Sequence, residues 1–395
     1  MKLFVPKEIA DGETRVALSP DTAKKLIGIG FDVFVEAGAG AGSRIPDAQY
    51  ESAGAKIGGA DEGGDADVVL KVRRPTPNEA NSYKRGALVI ASMDPFGHED
   101  DVAAMAQAGL CAFAMEFMPR ITRAQSMDVL SSQANLAGYQ AVVEAAAVFD
   151  RALPMMMTAA GTVPAARVFV MGAGVAGLQA IATARRMGAV VTATDVRPAA
   201  KEQVASLGAK FIAVEDEEFK AAETAAGYAK EMSKEYRAKQ AELVASHIAK
   251  QDIVITTALI PGRPAPRLVT TEMIAAMAPG SVIVDLAVER GGNVEGARSG
   301  EVMRIGDVSI VGYPNMAGRI AATASQLYAR NLLAFLETMV DKESRSLKVD
   351  WNDELVKATL LTREDRVVHP AFAPKQAAEA PAEAVVEEAS KGEAQ

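Results

Sequence analysis

Short apolar runs alternate with amphipathic stretches over the first third of the chain, and this alternation is the main clue to its fold. The apolar runs have the length of buried strands and lie at Leu3–Val5, Phe31–Val35, Val68–Val72, Leu88–Ala91 and Leu110–Ala114. Helical stretches between them begin near Pro20, Asp47 and His98. Strands that alternate with helices in this way predict an α/β fold with a mostly parallel sheet.

The same alternation returns in the second half of the chain. A long helix is predicted over about residues 127–150, and a loop follows at Pro154–Pro164. Further strands are predicted at Val168–Met171, Val190–Thr194, Phe211–Val214, Ile253–Thr257, Val282–Leu286 and Ser309–Val311. A helix at Ala317–Val340 then leads to short segments at Leu347–Val349, Val356–Leu361 and Arg366–Val368. The second set of strands predicts a doubly wound nucleotide-binding domain.

A glycine-rich turn in this second set points to the ligand. The apolar strand Arg167–Met171 runs into Gly172-Ala-Gly174-Val-Ala-Gly177 and then into an amphipathic helix. Gly172 permits a tight turn, Gly174 lets a pyrophosphate approach the backbone, and Gly177 lets the helix pack on the strand. The free N–H groups and the dipole of the helix favour the phosphates. The motif predicts a dinucleotide site; the alternative is a βα turn without a ligand.

An acidic residue at the end of the next strand indicates which dinucleotide is bound. Asp195 follows the strand Ala189–Thr194 and stands eighteen positions after Gly177. A spacing of about 20 is expected for the acid that accepts hydrogen bonds from the adenosine ribose. A carboxylate there repels the 2′-phosphate of NADP, so we predict NAD, although Arg197 offers a cation nearby.

These elements predict two Rossmann-like α/β domains with parallel sheets, the second a doubly wound NAD-binding domain inserted into the first. The first domain is expected to comprise residues 1–130 plus 335–372. The NAD(H)-binding domain is expected to comprise residues 131–334, with long linking helices at both ends. Residues 373–395 are mainly Ala, Glu, Pro and Lys, a composition that buries too little surface to offset ordering entropy, so we predict a disordered tail.

Composition and charge exclude several classes of protein. The net charge of −9 and the lack of a basic stripe with interleaved aromatic residues argue against nucleic-acid binding. The single cysteine, Cys111, excludes an intramolecular disulfide, and we interpret it as a buried packing residue in a reducing compartment; no metal site is expected. The N-terminus does not have the pattern of a signal peptide, and the run Val168–Ala184 is too short and glycine-rich to span a membrane. We therefore expect a cytoplasmic chain without membrane insertion of its own.

A cluster of polar residues precedes the nucleotide-binding domain. The loop Arg120–Met127 leads to Asp128 and Ser131 at the start of the long helix. Arg120, Asp128 and Ser131 offer the donors and acceptors that a nicotinamide carboxamide needs. Gln125 offers an uncharged amide that can orient a second nicotinamide. The alternative is ordinary helix capping by Asp128 and Ser131, with the arginines solvated.

No general acid or base is evident near this loop. The histidines are His98, His247 and His369, and none is paired in sequence with an acid close to the loop. We interpret each as structural or solvated. The sequence therefore favours a reaction that needs no proton transfer by a side chain.

The chain resembles the NAD(H)-binding component, domain I, of the proton-translocating nicotinamide nucleotide transhydrogenases. The resemblance covers nearly everything up to the tail. It is carried by the segments Arg15–Pro20, Met118–Asp128, Ser131–Tyr139, Met155–Thr162, Gly172–Gly177 and Thr256–Gly262.

The resemblance implies a set of residues around the nucleotide. The residues with catalytic roles at the nicotinamide end are Arg120, Gln125, Asp128 and Ser131, and Ser126 and Met127 accompany them. The other cofactor-binding residues are Gly172, Gly174, Val175, Ala176, Gly177, Asp195, Val196, Arg197, Gly227, Tyr228, Gln240, Ala258 and Leu259. Three of these, Gly227, Tyr228 and Gln240, fall in a stretch that forms a mobile loop over the nucleotide in the family; the alternative is a solvated helix.

The resemblance also implies an activity and partners. The family transfers a hydride directly from NADH to NADP, so this chain is expected to bind NAD(H) while a partner subunit or domain binds NADP(H). Membrane-spanning subunits would couple the transfer to proton translocation and attach the chain peripherally to the inner membrane. A homodimer, active as a transhydrogenase only with its partner subunits, is implied as well.

Two rival functions are left open. The alanine dehydrogenases are related, and Arg15 and Lys71 resemble their substrate-binding residues. Their catalytic His and Asp correspond here to the region of Ser92-Met-Asp94 and to Glu289, which argues against amino-acid oxidation; Arg15 and Lys71 are then expected to form structural salt bridges. The other rival is a non-catalytic regulator that responds to NAD.

Overall fold

The computed structural model describes residues 1–220, 232–260 and 262–373. Two large sheets dominate this part of the chain, and each is covered on both faces by helices and apolar cores. The architecture confirms the predicted α/β class with two Rossmann-like sheets.

The strands and helices of the described residues are numbered in chain order. The strands are β1 (Lys2–Val5), β2 (Asp32–Glu36), β3 (Lys56–Gly58), β4 (Val68–Arg73), β5 (Leu88–Ser92), β6 (Cys111–Ala114), β7 (Met156–Thr158), β8 (Gly161–Val163), β9 (Arg167–Met171), β10 (Val190–Thr194), β11 (Lys210–Phe211), β12 (Ile253–Thr256), β13 (Val282–Asp285), β14 (Val302–Ile305), β15 (Val308–Val311), β16 (Val340–Asp341), β17 (Ser346–Leu347), β18 (Leu360–Arg363) and β19 (Arg366–Val367). The helices are α1 (Pro20–Gly28), α2 (Asp47–Ser52), α3 (Pro77–Ser82), α4 (Glu99–Gln107), α5 (Val129–Val148), α6 (Val175–Arg186), α7 (Ala200–Ser206), α8 (Glu217–Lys220), α9 (Lys234–Ile248), α10 (Thr271–Ala275), α11 (Ala321–Leu336) and α12 (Glu354–Thr359).

Local capping residues explain where several helices begin. Ser19 caps α1, where its hydroxyl accepts from the backbone N–H of Thr22, and Pro20 occupies the first helical turn. Thr76 and Glu79 form a capping box at the start of α3. Asp128 caps α5 through its side chain as well. The sequence thus sets these helix starts without help from distant residues.

The first sheet has the strand order β19-β18-β6-β5-β4-β1-β2-β3. The six strands from β3 to β6 are parallel, whereas β18 and β19 pair antiparallel at one edge. Neighbouring residues of β1 point into opposite cores, with Leu3 and Val5 on one face and Phe4 on the other. Because both faces are buried, the strands are apolar throughout, as their sequences predicted.

The second sheet has the order β11-β10-β9-β12-β13-β15-β14. Its first six strands are parallel and β14 is antiparallel to β15. Strand order reverses between β9 and β12, which is the switch point where doubly wound sheets bind ligands beyond the carboxyl ends of their strands.

Two long helices, α5 and α11, run beside each other between the two sheets. Helix α5 also crosses α6 at very close range: a Cβ added to Gly138 would lie 2.0 Å from the carbonyl oxygen of Ala176. Gly138 therefore lets the backbones of α5 and α6 touch. The division of the chain at residues 130/131 and 334/335 stays a prediction.

Several elements differ from the sequence-based expectations. The predicted loop at Pro154–Pro164 contains the hairpin β7–β8, and its residues Met155, Met156 and Met157 are exposed rather than packed in a core of this chain. Val356–Leu361 divides into the end of α12 and the start of β18. The edge strands β3 and β14 were not predicted, because a short strand with few buried residues has only a weak hydrophobic pattern.

Other expectations concern the surface and the chain ends. Cys111 is buried in β6, as predicted. Among the described residues, no helix has both the length and the apolar character needed to cross a membrane. Only Ala373 of the predicted tail is described; residues 374–395 lie outside the described part of the chain.

Candidate nucleotide-binding site

The turn between β9 and α6 lies at the switch point of the second sheet. Gly172 has a φ of +105°, a backbone conformation that residues with a side chain rarely adopt. A Cβ on Gly177 would lie only 1.8 Å from the carbonyl oxygen of Gly172. Both glycines are therefore required by the backbone of the turn itself, before any ligand is considered.

The same turn leaves room for an anion. A Cβ added to Gly174 would meet nothing within 4 Å, so the backbone at this position faces open space. Gly174 is the N-cap of α6, and no side chain caps the helix there. The first N–H groups of α6 thus keep their capacity to donate, in a twelve-residue helix whose dipole favours a phosphate. The chain fits a pyrophosphate at this point.

Asp195 follows β10 as predicted, and its carboxylate is already fully engaged. It accepts from the backbone N–H of Ala173 at 2.7 Å and from that of Arg197 at 2.9 Å. The Arg197 guanidinium adds bonds from Nε at 3.0 Å and Nη2 at 3.1 Å. A carboxylate has about four acceptor positions. Ribose hydroxyls could bond Asp195 only after the guanidinium moves aside, a requirement that the sequence did not reveal.

Apolar side chains surround this carboxylate and the glycine turn. Val175, Val196 and Leu259 follow the neighbouring strands β9, β10 and β12, and they are 40%, 62% and 54% exposed. Exposed apolar residues at adjacent strand ends provide surfaces on which a nucleotide base can pack. All three belong to the predicted cofactor-binding set.

Gln240 lies at the adjacent edge of the sheet. Its side-chain oxygen accepts from the N–H of Val214 at 2.9 Å, and its Nε2 donates to the hydroxyl of Thr194 at 3.2 Å. These bonds hold α9 against the ends of β10 and β11, next to Asp195. Gly227 and Tyr228 lie outside the described residues.

Asn293 is a residue that the sequence analysis missed. It is fully buried, its Oδ1 accepts from the N–H of Ala258 at 3.0 Å, and its Nδ2 donates to the carbonyls of Ala258 at 2.9 Å and Pro266 at 2.8 Å. The amide thereby fixes the start of the segment that carries Leu259. A lone asparagine after two glycines has no local motif that would reveal this role.

The predicted nicotinamide loop forms a 3-10 turn over residues 122–127, directly before α5. Ala124 and Met127 are buried, whereas Arg120, Gln125 and Ser126 are exposed. The side chains of Arg120 and Gln125 make no hydrogen bond or ion pair with the part of the chain that the structure describes. Both groups are free to bind something else.

Asp128 and Ser131 show the capping geometry that was the alternative interpretation. Asp128 Oδ1 accepts from the Ser131 N–H at 2.9 Å, and Oδ2 accepts from the Ser131 hydroxyl at 2.5 Å. Capping occupies part of each group, because the carboxylate keeps further lone pairs and the hydroxyl oxygen can still accept. A role toward a ligand stays a prediction for both residues.

Charged residues at the floor of the cleft are tied to one another. Arg15 forms a two-point ion pair with Glu13, at 2.6 and 2.7 Å. Lys71 is 1% exposed and bonds Glu79 at 2.6 Å, with Glu8 at 3.6 Å. The predicted structural salt bridges of Arg15 and Lys71 are confirmed.

The pair formed by Glu13 and Arg15 gives stability a dependence on pH. Burial opposes ionisation of Glu13, but the hydrogen bonds and charge of Arg15, with Arg73, outweigh it and lower the pKa from 4.5 to about 2. This difference corresponds to about 3 kcal/mol of stability. Since the folded pKa is lowered, this contribution is complete above pH 4.5 and is lost as the pH falls through about 2.

We expect Glu13→Gln to remove that dependence. The free energy of unfolding of the wild type should exceed that of Glu13→Gln at pH 6, and the difference should shrink steadily between pH 4.5 and 2. Chemical denaturation of both proteins across this range measures it. A difference that stays constant with pH would contradict the assignment.

The loops at Asp94 and Glu289 meet across the cleft. Asp94 pairs with Arg290, and Glu289 accepts from the backbone N–H of Asn315 at 3.0 Å. His98 lies beside Asp94, and both line a cavity of about 360 Å³ together with Glu289. The sequence analysis treated His98 only as a helix start, which was incomplete, because His98 and these two acids come together only in the folded chain. A larger cavity of about 740 Å³ lies at the domain junction around Arg44, Glu144 and Arg319, and no predicted site residue lines it.

Comparison with known proteins agrees with this geometry. Residues 4–137 match the model of the alanine dehydrogenase/PNT N-terminal domain, and residues 141–370 match that of the C-terminal domain. The chain is also similar to the first of the separate chains that form NAD(P) transhydrogenase subunit alpha in Rhodospirillum rubrum. The two are 55% identical over 379 residues, covering 94% of this chain and 99% of that protein.

Solved structures give the same result. The structure of transhydrogenase from Sinorhizobium meliloti is 67% identical, with a TM-score of 0.86, and the match covers 93% of this chain and all of the other. An L-alanine dehydrogenase structure is 26% identical with a TM-score of 0.80, over 94% and 98% of the two chains. The resemblance seen in the sequence is confirmed: the chain belongs to the alanine dehydrogenase/PNT family, in which it is more similar to these transhydrogenase proteins than to the alanine dehydrogenase.

Proposed function

We propose that the chain binds NAD(H) in the cleft between its two domains and holds the nicotinamide for direct hydride transfer to NADP on a partner. The observation that carries this proposal is the pairing of two features. One is a glycine turn with an uncapped helix start that fits a pyrophosphate. The other is a turn that exposes Gln125 and Arg120 with no partner among the described residues.

The proposed residues divide the work along the nucleotide. Gly172, Gly174 and Gly177, with Val175 and Ala176, would hold the pyrophosphate at the start of α6. The adenosine end would be bound by Asp195, Val196, Arg197, Gln240, Ala258, Leu259, Gly227 and Tyr228. The nicotinamide end would be held by Arg120, Gln125, Ser126, Met127, Asp128 and Ser131.

Direct hydride transfer suits the chemistry of these side chains. Bound NADH supplies the hydride, and no hydroxyl needs to lose a proton. The cations Arg15 and Lys71, which could bind a carboxylate substrate, are engaged by Glu13 and Glu79. The work left to the chain is to position one ring and exclude water, since reacting carbons must approach to about 3 to 3.5 Å.

The partners follow from the same proposal. An NADP-binding transhydrogenase subunit or domain would cover the exposed side of the nicotinamide turn, and membrane-spanning subunits would couple the transfer to proton translocation. Through them the chain would be attached to the cytoplasmic side of the inner membrane. We also propose that it acts as a homodimer.

Titration followed by reconstitution tests this function. NADH should bind the isolated chain more tightly than NADPH, and adding an NADP-binding transhydrogenase subunit should produce NADH-dependent reduction of NADP. Intact NADH binding without any transfer would favour the regulator instead. Formation of NADH from alanine and NAD by the chain alone would favour an amino-acid oxidoreductase, the function that the cavity around His98, Asp94 and Glu289 would support.

We expect Gln125→Asn to slow hydride transfer while leaving NADH affinity nearly unchanged. The shorter side chain withdraws the amide from the exposed tip of the turn, and misplacement by about 1 Å can cost about a hundredfold in rate. Single-turnover transfer and NADH titration measure the two effects separately. Gln49→Asn, the same change at an exposed position of α2, is the matched control. A collapse of NADH affinity in Gln125→Asn would show that Gln125 faces the bound NADH and not the partner.

A further inference from the structure

The 3-10 turn at residues 122–127 holds its exposed residue between fixed points. Ala124 and Met127 are 1% and 6% exposed and belong to the large core of the first domain. Gln125 lies between them with its side chain in solvent. The position of the Gln125 amide is therefore set by whatever holds the backbone of the turn.

One end of the turn is held from outside by an ion pair. Arg123 donates to both carboxylate oxygens of Asp353, at 2.8 and 2.9 Å, and to Glu354 at 3.2 Å. This pair is partly exposed, with Arg123 at 45% and Asp353 at 24%, so solvent weakens its effect. A second contact is needed to fix the other end.

That second contact comes from Asn331 in α11. Asn331 is 7% exposed; its Nδ2 donates to the carbonyl oxygen of Ser126 at 2.8 Å, and its Oδ1 accepts from the hydroxyl of Ser132 at 2.7 Å. Ser126 is the residue directly after Gln125, and Ser132 lies in the first turn of α5. One buried amide therefore joins the 3-10 turn, the start of α5 and the middle of α11.

The chemistry of this contact requires both halves of an amide. The carbonyl of Ser126 needs a donor and the hydroxyl of Ser132 needs an acceptor, and a buried polar group without a partner is costly. A leucine has a similar volume but offers neither, and an aspartate offers the acceptor alone unless it is protonated.

We propose that Asn331 is a positioning residue for hydride transfer, acting through the Ser126 carbonyl to hold Gln125 in its reactive place; this rests on the proposed function. It touches no part of the expected nucleotide and belongs to none of the segments that predicted the site. Its effect should therefore fall on the transfer rate more than on NADH affinity.

The test uses the full chain with an NADP-binding transhydrogenase subunit. Asn331→Leu should lower the single-turnover transfer rate at saturating NADH by at least about tenfold, while the NADH Kd stays within about threefold of the wild-type value. Hydrogen exchange of the amides at residues 124–128 should become faster. This exchange measurement needs no partner subunit.

Ser325→Ala is the matched control for lost stability. Ser325 is a fully buried polar residue of the same helix, and its hydroxyl accepts from the N–H of Val16 at 2.9 Å, away from the turn. The control should lower the Tm comparably but change neither the transfer rate nor the exchange at 124–128. An equal loss of rate in Ser325→Ala, or wild-type rate and exchange in Asn331→Leu, would overturn the proposal.

Asn331→Asp supplies a readout that a purely structural role would not move. The protonated acid can donate to the Ser126 carbonyl and the ionised form cannot. The transfer rate of Asn331→Asp, relative to the wild type, should fall as the pH rises through the ionisation of the new carboxyl. A ratio that stays flat with pH and close to one would overturn the assigned donor.

The two proposals fail in different ways. If the wild-type chain gives no NADH-dependent reduction of NADP, the proposed function is wrong. If the wild type is active and the Asn331 variants transfer as fast as it does, only the role of Asn331 is wrong.

Discussion

Gly177→Ala is expected to abolish measurable NADH binding and to lower the free energy of unfolding by about 3 kcal/mol or more. The new Cβ would lie 1.8 Å from the carbonyl oxygen of Gly172, far inside contact distance. The clash is with backbone, which cannot rotate away as a side chain can. Helix α6 would have to move off β9, and the N–H groups at its start would no longer converge on one point.

Gly174→Ala is the matched control for this change. Its Cβ would meet nothing within 4 Å, and its φ of −74° suits alanine. We expect the Tm to stay unchanged while NADH affinity falls, because the methyl group would occupy the space through which a pyrophosphate approaches. Chemical denaturation and NADH titration of the two variants separate a fold requirement from a ligand requirement. Wild-type NADH affinity in Gly174→Ala would argue against a pyrophosphate at this turn.

Gly138→Ala is expected to destabilise the protein by about 2 to 3 kcal/mol and to weaken NADH binding. Helix propensity alone predicts the opposite sign, because alanine is favoured over glycine inside a helix by about 1 kcal/mol. The close crossing of α5 and α6 decides the outcome, since the added Cβ would lie 2.0 Å from the carbonyl oxygen of Ala176. Separation of the helices would shift the first turn of α6, where we propose that the phosphates bind.

Gly28→Ala tests whether a helical glycine is costly to replace in general. Gly28 lies at the end of α1, and a Cβ there would meet nothing within 4 Å. Its replacement should leave the free energy of unfolding unchanged or raise it slightly. Denaturant unfolding of both variants, with NADH titration of Gly138→Ala, measures the contrast. Equal stability of Gly138→Ala and the wild type would show that α5 and α6 can separate without cost.

Local patterns were sufficient for most of the architecture. The strands β1, β2, β4, β5 and β6 are buried on both faces, so their apolar runs stand out from the sequence. The glycine turn could be located for a similar reason, because each glycine answers a steric need within a few residues of itself. The hairpin β7–β8 was missed because its methionines are exposed, so composition alone suggested packing in a core.

The candidate site was harder to predict where distant residues meet. The spacing from Gly177 located Asp195, but it did not reveal that the Arg197 guanidinium lies on the carboxylate. Asn293 and Asn331 were also missed. Each is a single asparagine whose partners lie up to 205 residues away in sequence, so no local spacing could reveal them.

Helix α5 has a consequence for which ligands the cleft can accept. It starts at Asp128, beside the exposed turn, and passes the start of α6 at Gly138. Ten residues of helix span about 15 Å, and the backbone contact at Gly138 prevents sliding. The helix thus acts as a ruler of fixed length between the two ends of the cleft. A mononucleotide could reach only one end of it, and selection by molecular length would come before any recognition of the rings.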